Sequence, residues 1–475
     1  MINDLRDYLK QAEELGLCKH VNGADWDLEI GACTELQKLI PDSPVLVFDD
    51  IKGYEPGYRV ASNLLNNPKL FALVHGLPLN VTGVELVKAW REKKAKECRL
   101  SRPVEVKTGS VKENIHLGED IDIFEFPVPK WHELDGGRYI GTGHMVLQRD
   151  PEEGWVNVGT YRVQGFDRDV ATIHYIDGRH GDIIRKKYWD KGLSAPAVVV
   201  CGQEPLLWSM STYPLPWGVS EFDYVEWLKG KPFEVVKGEV TDLPIPAAAE
   251  IVLEGEMVLP GGETRIEGPF GEWPGYVGGK PREEPIFKIK AVLHRNNPIL
   301  TGAPPNVGPY DFYFGRSVMR CASLWDELDQ KVPGVIGIWQ PTESRGLLLT
   351  VVSIKQMFAG HAKRVAMAVA GSYTAAWMSR YIIIVDDDID ASNIGEVLWA
   401  LATRCDPETA IDISGGYPGM RSDPLLSPEQ RKRDNVVHSR AILYACRPYY
   451  WKDDFPPSVK SSPEVLARVK EKFNL

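Results

Sequence analysis

Residues 250–259, with the sequence EIVLEGEMVL, run directly into the turn Pro260-Gly261-Gly262, and this pattern decides the fold class of the middle of the chain. Short runs in which apolar residues recur, each broken by glycine or proline, are also found at residues 143–149, 155–161, 197–200, 234–240 and 286–294. Many short strands separated by turns at this frequency predict a β-barrel domain.

The segments on either side have a different residue pattern, in which helices alternate with strands. Residues 5–15 place Leu5, Leu9, Ala12 and Leu15 at helical spacing before Gly16, and residues 45–48 read as a strand. Residues 88–99 predict a helix with a solvated, charged face. Beyond residue 315, a helix at 366–380, a strand at 381–385 and a helix at 394–403 indicate βαβ structure, and the tail at 447–460 is predicted to be irregular. We therefore predict a mixed α+β (α/β) protein with three domains, at residues 1–115, 116–310 and 311–475.

Composition excludes several classes of protein. The 475 residues are 43% hydrophobic and 25% charged, with a net charge of −11 from mixed acidic and basic residues, which argues against a general nucleic-acid or anionic-membrane binder. No apolar run approaches the ~20 residues of a membrane span, and the N-terminus lacks an apolar signal core. Seven cysteines without a CxxC pair indicate reduced thiols. We expect a cytoplasmic enzyme.

The motif EGPFGE at residues 267–272, followed by WPGY at 273–276, is the strongest indication of catalysis. It sets Glu267 and Glu272 around a glycine-proline turn, among aromatic rings. Aromatic rings that exclude water from a carboxyl can raise its pKa and hold the group ready for proton transfer.

A second group of polar residues lies upstream. Strand alternation places Asn157 and Arg162 on opposite faces, unless a bend at Gly159 brings both into one cavity. Asn157, His180 and Glu221 together offer an amide oxygen, an imidazole and a carboxylate, a set that suits Mn²⁺ or Mg²⁺ better than zinc. Their spacing matches no local metal motif, so a loop histidine and a helix-start carboxylate remain open alternatives.

The order of the motifs narrows these alternatives. Asn157 and Arg162 in one strand are followed by RHG at 179–181, GVSE at 218–221, EGPFGE at 267–272, GHAKR at 360–364 and DDDID at 386–390. In this order the sequence resembles the UbiD family of prenylated-flavin-dependent (de)carboxylases over nearly the whole chain. We expect the DDDID carboxylates themselves to be solvated side chains that close a parallel strand.

The resemblance implies a central split β-barrel that binds prenylated FMN and a C-terminal oligomerisation domain. Glu272 would be the proton donor and acceptor at the substrate carbon, while Arg162 and Glu267 hold each other and the flavin edge. Asn157, His180 and Glu221 would ligate Mn²⁺, which bridges to the cofactor phosphate.

The resemblance also implies further binding residues. A K⁺ site would lie near Ser211, Tyr213 and Glu221. The remaining cofactor cradle would comprise Thr160, Tyr161, Arg162, Arg179, Gly181 and Pro214, with Lys363, or a position near Thr374, as the phosphate partner from the C-terminal domain.

The implied reaction is reversible, non-oxidative decarboxylation of an aromatic, heteroaromatic or α,β-unsaturated carboxylic acid, with release of CO₂. We expect the cofactor to come from a flavin prenyltransferase and the chain to form a homo-oligomer, a dimer or hexamer. The predicted pocket lining, which would favour a flat acid, is Trp208, Tyr213, Trp217, Trp273, Tyr276, Asn306 and Tyr310. A flavin-binding or flavin-reductase protein, and a scaffold subunit of a larger carboxylase, are the alternatives.

Overall fold

The computed structural model describes residues 2–40, 42–95, 98–278, 280–308, 311–375, 378–433 and 435–474. No helix in these ranges combines the length and apolarity that a membrane span requires.

The first part of the chain forms a small α/β layer. Its elements are α1 (Leu5–Glu14), β1 (Cys18–Asn22), α2 (Glu29–Lys38), β2 (Val45–Asp49), β3 (Arg59–Ser62), α3 (Pro68–His75) and α4 (Gly83–Lys94). The helix predicted at 5–15 and the strand predicted at 45–48 are confirmed as α1 and β2, whereas β1 was not predicted. The charged helix begins earlier than predicted, and it is not simply a solvated element, because Trp90 is fully buried.

The middle of the chain carries most of the strands. They are β4 (Val104–Glu105), β5 (Asn114–Leu117), β6 (Arg138–Gly141), β7 (His144–Arg149), β8 (Val156–Gly159), β9 (Val163–Asp167), β10 (Val170–Ile173), β11 (Ala195–Cys201), β12 (Glu234–Lys237), β13 (Pro244–Pro246), β14 (Ile251–Met257), β15 (Thr264–Glu267), β16 (Phe270–Gly271), β17 (Val277–Gly278), β18 (Arg282–His294) and β19 (Ile299–Gly302). Three helices interrupt them: α5 (His180–Asp190), α6 (Pro205–Ser211) and α7 (Glu221–Lys229).

Ten of these strands form one curled sheet, in the order β6-β9-β10-β18-β14-β11-β7-β8, with β5 and β15 also pairing with β18. This is the half-barrel that the strand pattern predicts. The predicted barrel strand at 234–240 is an exception, because β12 pairs with β13 and β4 in a separate three-stranded sheet. β19 runs parallel to β3 and so completes the N-terminal sheet.

The last part of the chain is a second α/β layer. Its elements are α8 (Asp311–Asp329), β20 (Val335–Trp339), β21 (Leu349–Ile354), α9 (His361–Ala370), β22 (Tyr381–Asp386), α10 (Ile394–Arg404), β23 (Ile411–Pro418), α11 (Pro428–Arg431), β24 (Val437–Ala445) and α12 (Pro463–Phe473). The sheet order is β20-β21-β22-β24-β23, with β21, β22 and β24 parallel.

Two predictions for this part are corrected. The helix predicted at 366–380 lies at 361–370, because it begins directly after Gly360, which has a left-handed φ of 78°, and ends before Gly371. Asp386 is not solvated: it is 1% exposed and lies 3.1 Å from Arg404 and 3.2 Å from Arg447. A buried carboxylate at a strand end requires such cationic partners.

Candidate active site

Arg162 lies between two glutamates in one ion-pair network. Its Nε donates to Oε1 of Glu267 at 2.7 Å and its Nη2 to Oε2 at 2.8 Å, so this pair is bidentate. Nη1 donates to Oε1 of Glu272 at 2.8 Å. The side chain of Glu267 is 1% exposed and that of Glu272 is 26% exposed. The structure therefore brings the three predicted catalytic residues together and gives the two carboxylates unequal environments.

Two glycines make this arrangement possible. Glu267 ends β15, and β16 and β17 form the short hairpin that carries Glu272. Gly268 has a φ of 85°, and its N–H donates to Oε1 of Gln164 at 2.9 Å. A Cβ on Gly278 would lie 1.9 Å from Cγ of Glu272, so only glycine leaves room for that side chain.

The charges in the network differ in how firmly they are held. Burial by itself raises the pKa of Glu267, but the hydrogen bonds and charge of Arg162 outweigh it and bring that pKa below its ordinary value. Burial likewise opposes the charge of Arg162, yet Glu267 and then Glu272 raise its pKa. Glu267 is thus a fixed anion. Glu272 accepts one bond from Arg162 and keeps contact with solvent.

Tyr139 is a further member of the network that the sequence did not indicate. It lies in β6, opposite Gln164, and its hydroxyl donates to Oε1 of Glu267 at 3.1 Å. Its ring centroid is 4.0 Å from that of Phe270. Tyr139 and Glu267 are 128 residues apart in sequence, and the curvature of the sheet brings them into contact. The sequence alone therefore gives no indication of this pair.

The predicted metal ligands lie on elements that contact one another. Val158, which follows Asn157 in β8, donates its N–H to Oε2 of Glu221 at 2.8 Å. Glu221 begins α7 and His180 begins α5. The ring of Trp217, shortly before Glu221, lies 5.2 Å from the ring of His180. Both helix starts are therefore held against the end of β8.

The polar groups of this trio fit a cation. Within the described residues, Nδ2 of the buried Asn157 meets no partner with good hydrogen-bond geometry, although it lies near the hydroxyl of Tyr161; a 180° rotation of the amide places its oxygen at the same point. Burial raises the pKa of Glu221 to about 8, although a backbone N–H opposes this. Burial also lowers the pKa of His180, which favours the neutral imidazole that can ligate a metal. An amide, an imidazole and a carboxylate fit a hard or borderline divalent ion.

Several predicted cradle residues converge beside this trio. The Oγ1 atom of Thr160 lies 2.9 Å from Oγ of Ser211, at the end of α6. The N–H of Gly181 donates to the hydroxyl of Tyr161 at 3.0 Å. A Cβ on Gly181 would lie within 2.9 Å of three side chains. Only glycine therefore fits at this position without displacing its neighbours.

Tyr213 and Pro214 continue from the end of α6 toward the C-terminal layer. The hydroxyl of Tyr213 lies 2.7 Å from Oγ of Ser323 on α8. Arg179 is the N-cap residue of α5, immediately before His180. The cradle is therefore bounded by α5, α6 and α8.

Lys363 is the predicted cradle residue whose contacts lie elsewhere. Its Nζ is 3.3 Å from Oδ2 of Asp412 in β23, and its side chain is 63% exposed. Since α9 buries His361 and Val365 on its inner face, Lys363 projects from the outer face.

Two arginines of α8, Arg316 and Arg320, lie close enough to Arg179 at the start of α5 for their charges to affect Arg320. Arg320 donates to Oε1 of Gln340 at 3.3 Å and to the carbonyl of Thr374, and both partners are neutral. Burial, together with the positive charges of Arg316 and Arg179, lowers the pKa of Arg320 to about 10. The positive charges of Arg316 and Arg179 both act on Arg320, and a cluster of guanidinium groups of this kind suits an anion.

The predicted aromatic lining is only partly at this site. Trp208 is buried in the apolar core, and Tyr276 is 64% exposed. Nε1 of Trp273 donates to Oγ of Ser422 at 2.6 Å, which links the hairpin of β16 and β17 that carries Glu272, here called the catalytic hairpin because the predicted proton donor lies on it, to the C-terminal layer. Tyr310 lies outside the described residues.

Asn306 lies near the same hairpin. Its backbone carbonyl accepts a bond from Nη2 of Arg345 at 2.7 Å, and its neighbour Pro305 packs on Gly271, where an added Cβ would be 3.3 Å away. Both polar side-chain atoms of Asn306 are buried and have no hydrogen-bond partner in the part of the chain that the structure describes, so this amide can serve a bound molecule.

Comparison with known families accounts for most of the chain. Residues 9–90, 102–307 and 313–445 match the N-terminal, Rift-related and C-terminal domains of 3-octaprenyl-4-hydroxybenzoate carboxy-lyase. The phenolic acid decarboxylase of Bacillus subtilis is 31% identical over 94% of this chain and 92% of its own length. The pyrrole-2-carboxylic acid decarboxylase of Pseudomonas aeruginosa is 32% identical over 85% of this chain and 82% of its own length.

Solved structures are similar over the whole length. The UbiD-class enzyme HmfF of Pelotomaculum thermopropionicum, in complex with FMN, has a TM-score of 0.86 and 28% identity and covers 99% of this chain and 100% of its own. An evolved dimeric form of HmfF with prFMN has a TM-score of 0.81 and 27% identity, with 98% of each chain covered. The open form of the vanillic acid decarboxylase of Sedimentibacter hydroxybenzoicus, with truncated ShVdcD, has a TM-score of 0.86 and 27% identity, covering 100% of this chain and 98% of its own. With three matching domain models and relatives above 30% identity along nearly its full length, this chain belongs to the UbiD family.

Proposed function

We propose that this chain is a carboxy-lyase that catalyses reversible, non-oxidative decarboxylation of an aromatic, heteroaromatic or α,β-unsaturated carboxylic acid. The network of Arg162 with Glu267 and Glu272 carries the proposal, because it combines one fixed anion with one carboxyl that can exchange a proton. The activities named for the relatives, on phenolic and pyrrole carboxylic acids, support the same reaction type.

The proposed cofactor is prenylated FMN, which supplies, when bound, an electron sink for the negative charge that loss of CO₂ leaves on carbon. Asn157, His180 and Glu221 would hold Mn²⁺ next to the cofactor phosphate. Ser211 and Tyr213, with Glu221, would hold K⁺ beside it. The buried amide of Asn157 and the buried carboxylate of Glu221 support this assignment.

We assign the phosphate partners to Arg179, Arg316 and Arg320 rather than to Lys363. A phosphate carries up to two negative charges and needs compensating cations. Arg320 is partly buried and hydrogen-bonded only to neutral groups among its described contacts, whereas Lys363 already pairs with a carboxylate at the surface.

In the proposed reaction Glu272 delivers a proton to the carbon from which CO₂ has departed. Overall, the C–C bond to the substrate carboxylate breaks to release one CO₂, and one proton is consumed to form the C–H bond that replaces it. Solvent restores the proton, because Glu272 is 26% exposed. Glu267 remains ionised and holds Arg162, and Tyr139 in turn holds Glu267. Arg162 thereby keeps Glu272 in position through its single bond.

The proposed substrate pocket lies between the catalytic hairpin and α8. Asn306 supplies an amide that can donate to and accept from a ring substituent or ring heteroatom. Phe270 and Trp273 bring apolar ring surface to the same hairpin, which favours a flat substrate.

The proposal extends to assembly and location. We keep the division at 1–115, 116–310 and 311–475, with the last domain as the homo-oligomer interface, in a dimer or hexamer. Exposed apolar side chains on the C-terminal layer support this: Ile413, Leu425, Val437, Tyr450 and Val459. Seven free thiols support a cytoplasmic location. A flavin prenyltransferase would supply the cofactor.

Co-expression with a flavin prenyltransferase, followed by a panel of aromatic and unsaturated acids assayed for CO₂, tests the function. We expect CO₂ release by the purified chain with Mn²⁺, and little release by protein expressed without the prenyltransferase. Flavin reduction without CO₂ release would favour a flavin reductase. Activity that strictly requires a second protein would favour a subunit of a larger carboxylase.

A further inference from the structure

Two histidines and a glutamate converge at the end of the long strand β18. β5 pairs antiparallel with β18, with His116 opposite Val292. His294 lies two residues beyond Val292, so strand alternation places it on the same face as His116. Glu125 approaches this face from the 3₁₀ turn Ile123–Glu125. None of these residues takes part in the candidate active site.

The separation of the three ligand atoms is close to that of a metal site. Oε1 of Glu125 is 3.3 Å from Nδ1 of His116 and 4.0 Å from Nε2 of His294, and all three atoms lie within 4.8 Å of one another. Metal–ligand bonds of about 2.0–2.1 Å in a tetrahedral zinc site place neighbouring ligand atoms about 3.3 Å apart. One pair already has this separation, and small side-chain rotations bring in the third atom.

These three atoms also make no hydrogen bond within the part of the chain that the structure describes. Among the described residues, Nδ1 of His116, Oε1 of Glu125 and Nε2 of His294 are all buried and find no partner with hydrogen-bond geometry, and the side chain of His294 is only 4% exposed. Nδ1 of His294 lies 2.9 Å from the carbonyl of Arg295, which can only accept, so Nδ1 carries the proton. Nε2 therefore presents a lone pair toward the carboxylate of Glu125, an arrangement that a bound cation stabilises.

We propose that His116, Glu125 and His294 form a second metal site, for Zn²⁺ or a similar borderline divalent ion, with a water in the fourth position. Two imidazoles and one carboxylate are a known zinc ligand set. The carbonyl of Arg295 orients one imidazole, as outer partners of metal-bound histidines do. The ion would join β5, the turn at 123–125 and the end of β18, so its role would be structural.

The test uses the full chain carrying Glu221→Gln, which weakens the proposed flavin-site ion, after removal of metal with EDTA. Zn²⁺ binding is measured by equilibrium dialysis, and Co²⁺ is used as a spectroscopic probe of tetrahedral geometry. We expect one Zn²⁺ per chain. Adding Glu125→Gln or His116→Gln should weaken its binding at least about tenfold, since even outer-shell changes cost about 10–100-fold.

A matched control is His20→Gln, in the more exposed cluster of Glu13, Cys18 and His20. This change should leave Zn²⁺ binding and the Co²⁺ spectrum unaltered. Zn²⁺ should also raise the Tm of the parent protein but not that of the Glu125→Gln variant, and circular dichroism checks that each variant is folded. Absence of stoichiometric binding at micromolar Zn²⁺, unchanged affinity in both ligand variants, or loss of binding only with His20→Gln would overturn the proposal.

Discussion

Replacement of Glu272 by glutamine separates the chemical role of this carboxyl from its structural role. Glutamine keeps the size and one oxygen to accept the 2.8 Å bond from Arg162, but it cannot transfer a proton. A partly exposed ion pair contributes about 0.2–1 kcal/mol to stability. General acid catalysis contributes about 10²–10⁴-fold, or roughly 3–5 kcal/mol of the barrier at about 1.36 kcal/mol per tenfold change in rate. Decarboxylation should therefore fall by about 10²–10⁴-fold while stability changes little.

The assay follows CO₂ release by protein co-expressed with a flavin prenyltransferase, with flavin content from absorbance and stability from thermal unfolding. Glu267→Gln is the matched control. Because Glu267 is 1% exposed and pairs with Arg162 in a bidentate manner, its loss should cost about 3–5 kcal/mol of stability as well as activity. If Glu272→Gln retained CO₂ release within about threefold of the parent rate, its assignment as proton donor would be refuted.

Three further predictions follow from the site. Because burial raises the pKa of Glu221 to about 8, the native metal-free protein binds a proton that the unfolded chain releases near pH 4.5. Its unfolding free energy, measured by denaturant titration, should therefore fall by on the order of 1–4 kcal/mol between about pH 4.5 and 8. Glu221→Gln or added Mn²⁺ should reduce this dependence of stability on pH. Gly278→Ala should suppress decarboxylation, because its Cβ would enter the side chain of Glu272, the proposed proton donor. Gly415→Ala should be neutral in the same assay, because an added Cβ there would meet no described atom within 4 Å apart from its chain neighbours; equal activities of the two variants would contradict the geometry. Arg320→Met should weaken binding of FMN at least tenfold in a fluorescence titration while Lys363→Met does not, and the reverse result would return the phosphate contact to the lysine.

Local patterns were sufficient for much of the fold. The first helix, the barrel strands around 250–259 and 286–294, and the strand at 381–385 were predicted near their observed positions. The predictions failed where an element depends on distant partners. Residues 234–240 have strand character, but pairing with β4 and β13 removed them from the half-barrel. The sequence predicts a solvated Asp386, whereas in the structure Arg404 and Arg447 pair with its carboxylate.

The same distinction applies to the sites. The glycine-rich turn at 267–272 and the order of the polar motifs indicated the family and its two glutamates, because short-range spacing is written directly in the chain. The contacts of Tyr139 with Glu267, of Arg320 with Thr374, and of His116 with His294 join residues far apart in sequence. Their proximity depends on sheet curvature, strand register and helix packing, which arise from burial summed over the whole molecule. The residue order therefore determined the family and the chemical groups present, and only the tertiary structure decided which of those groups meet.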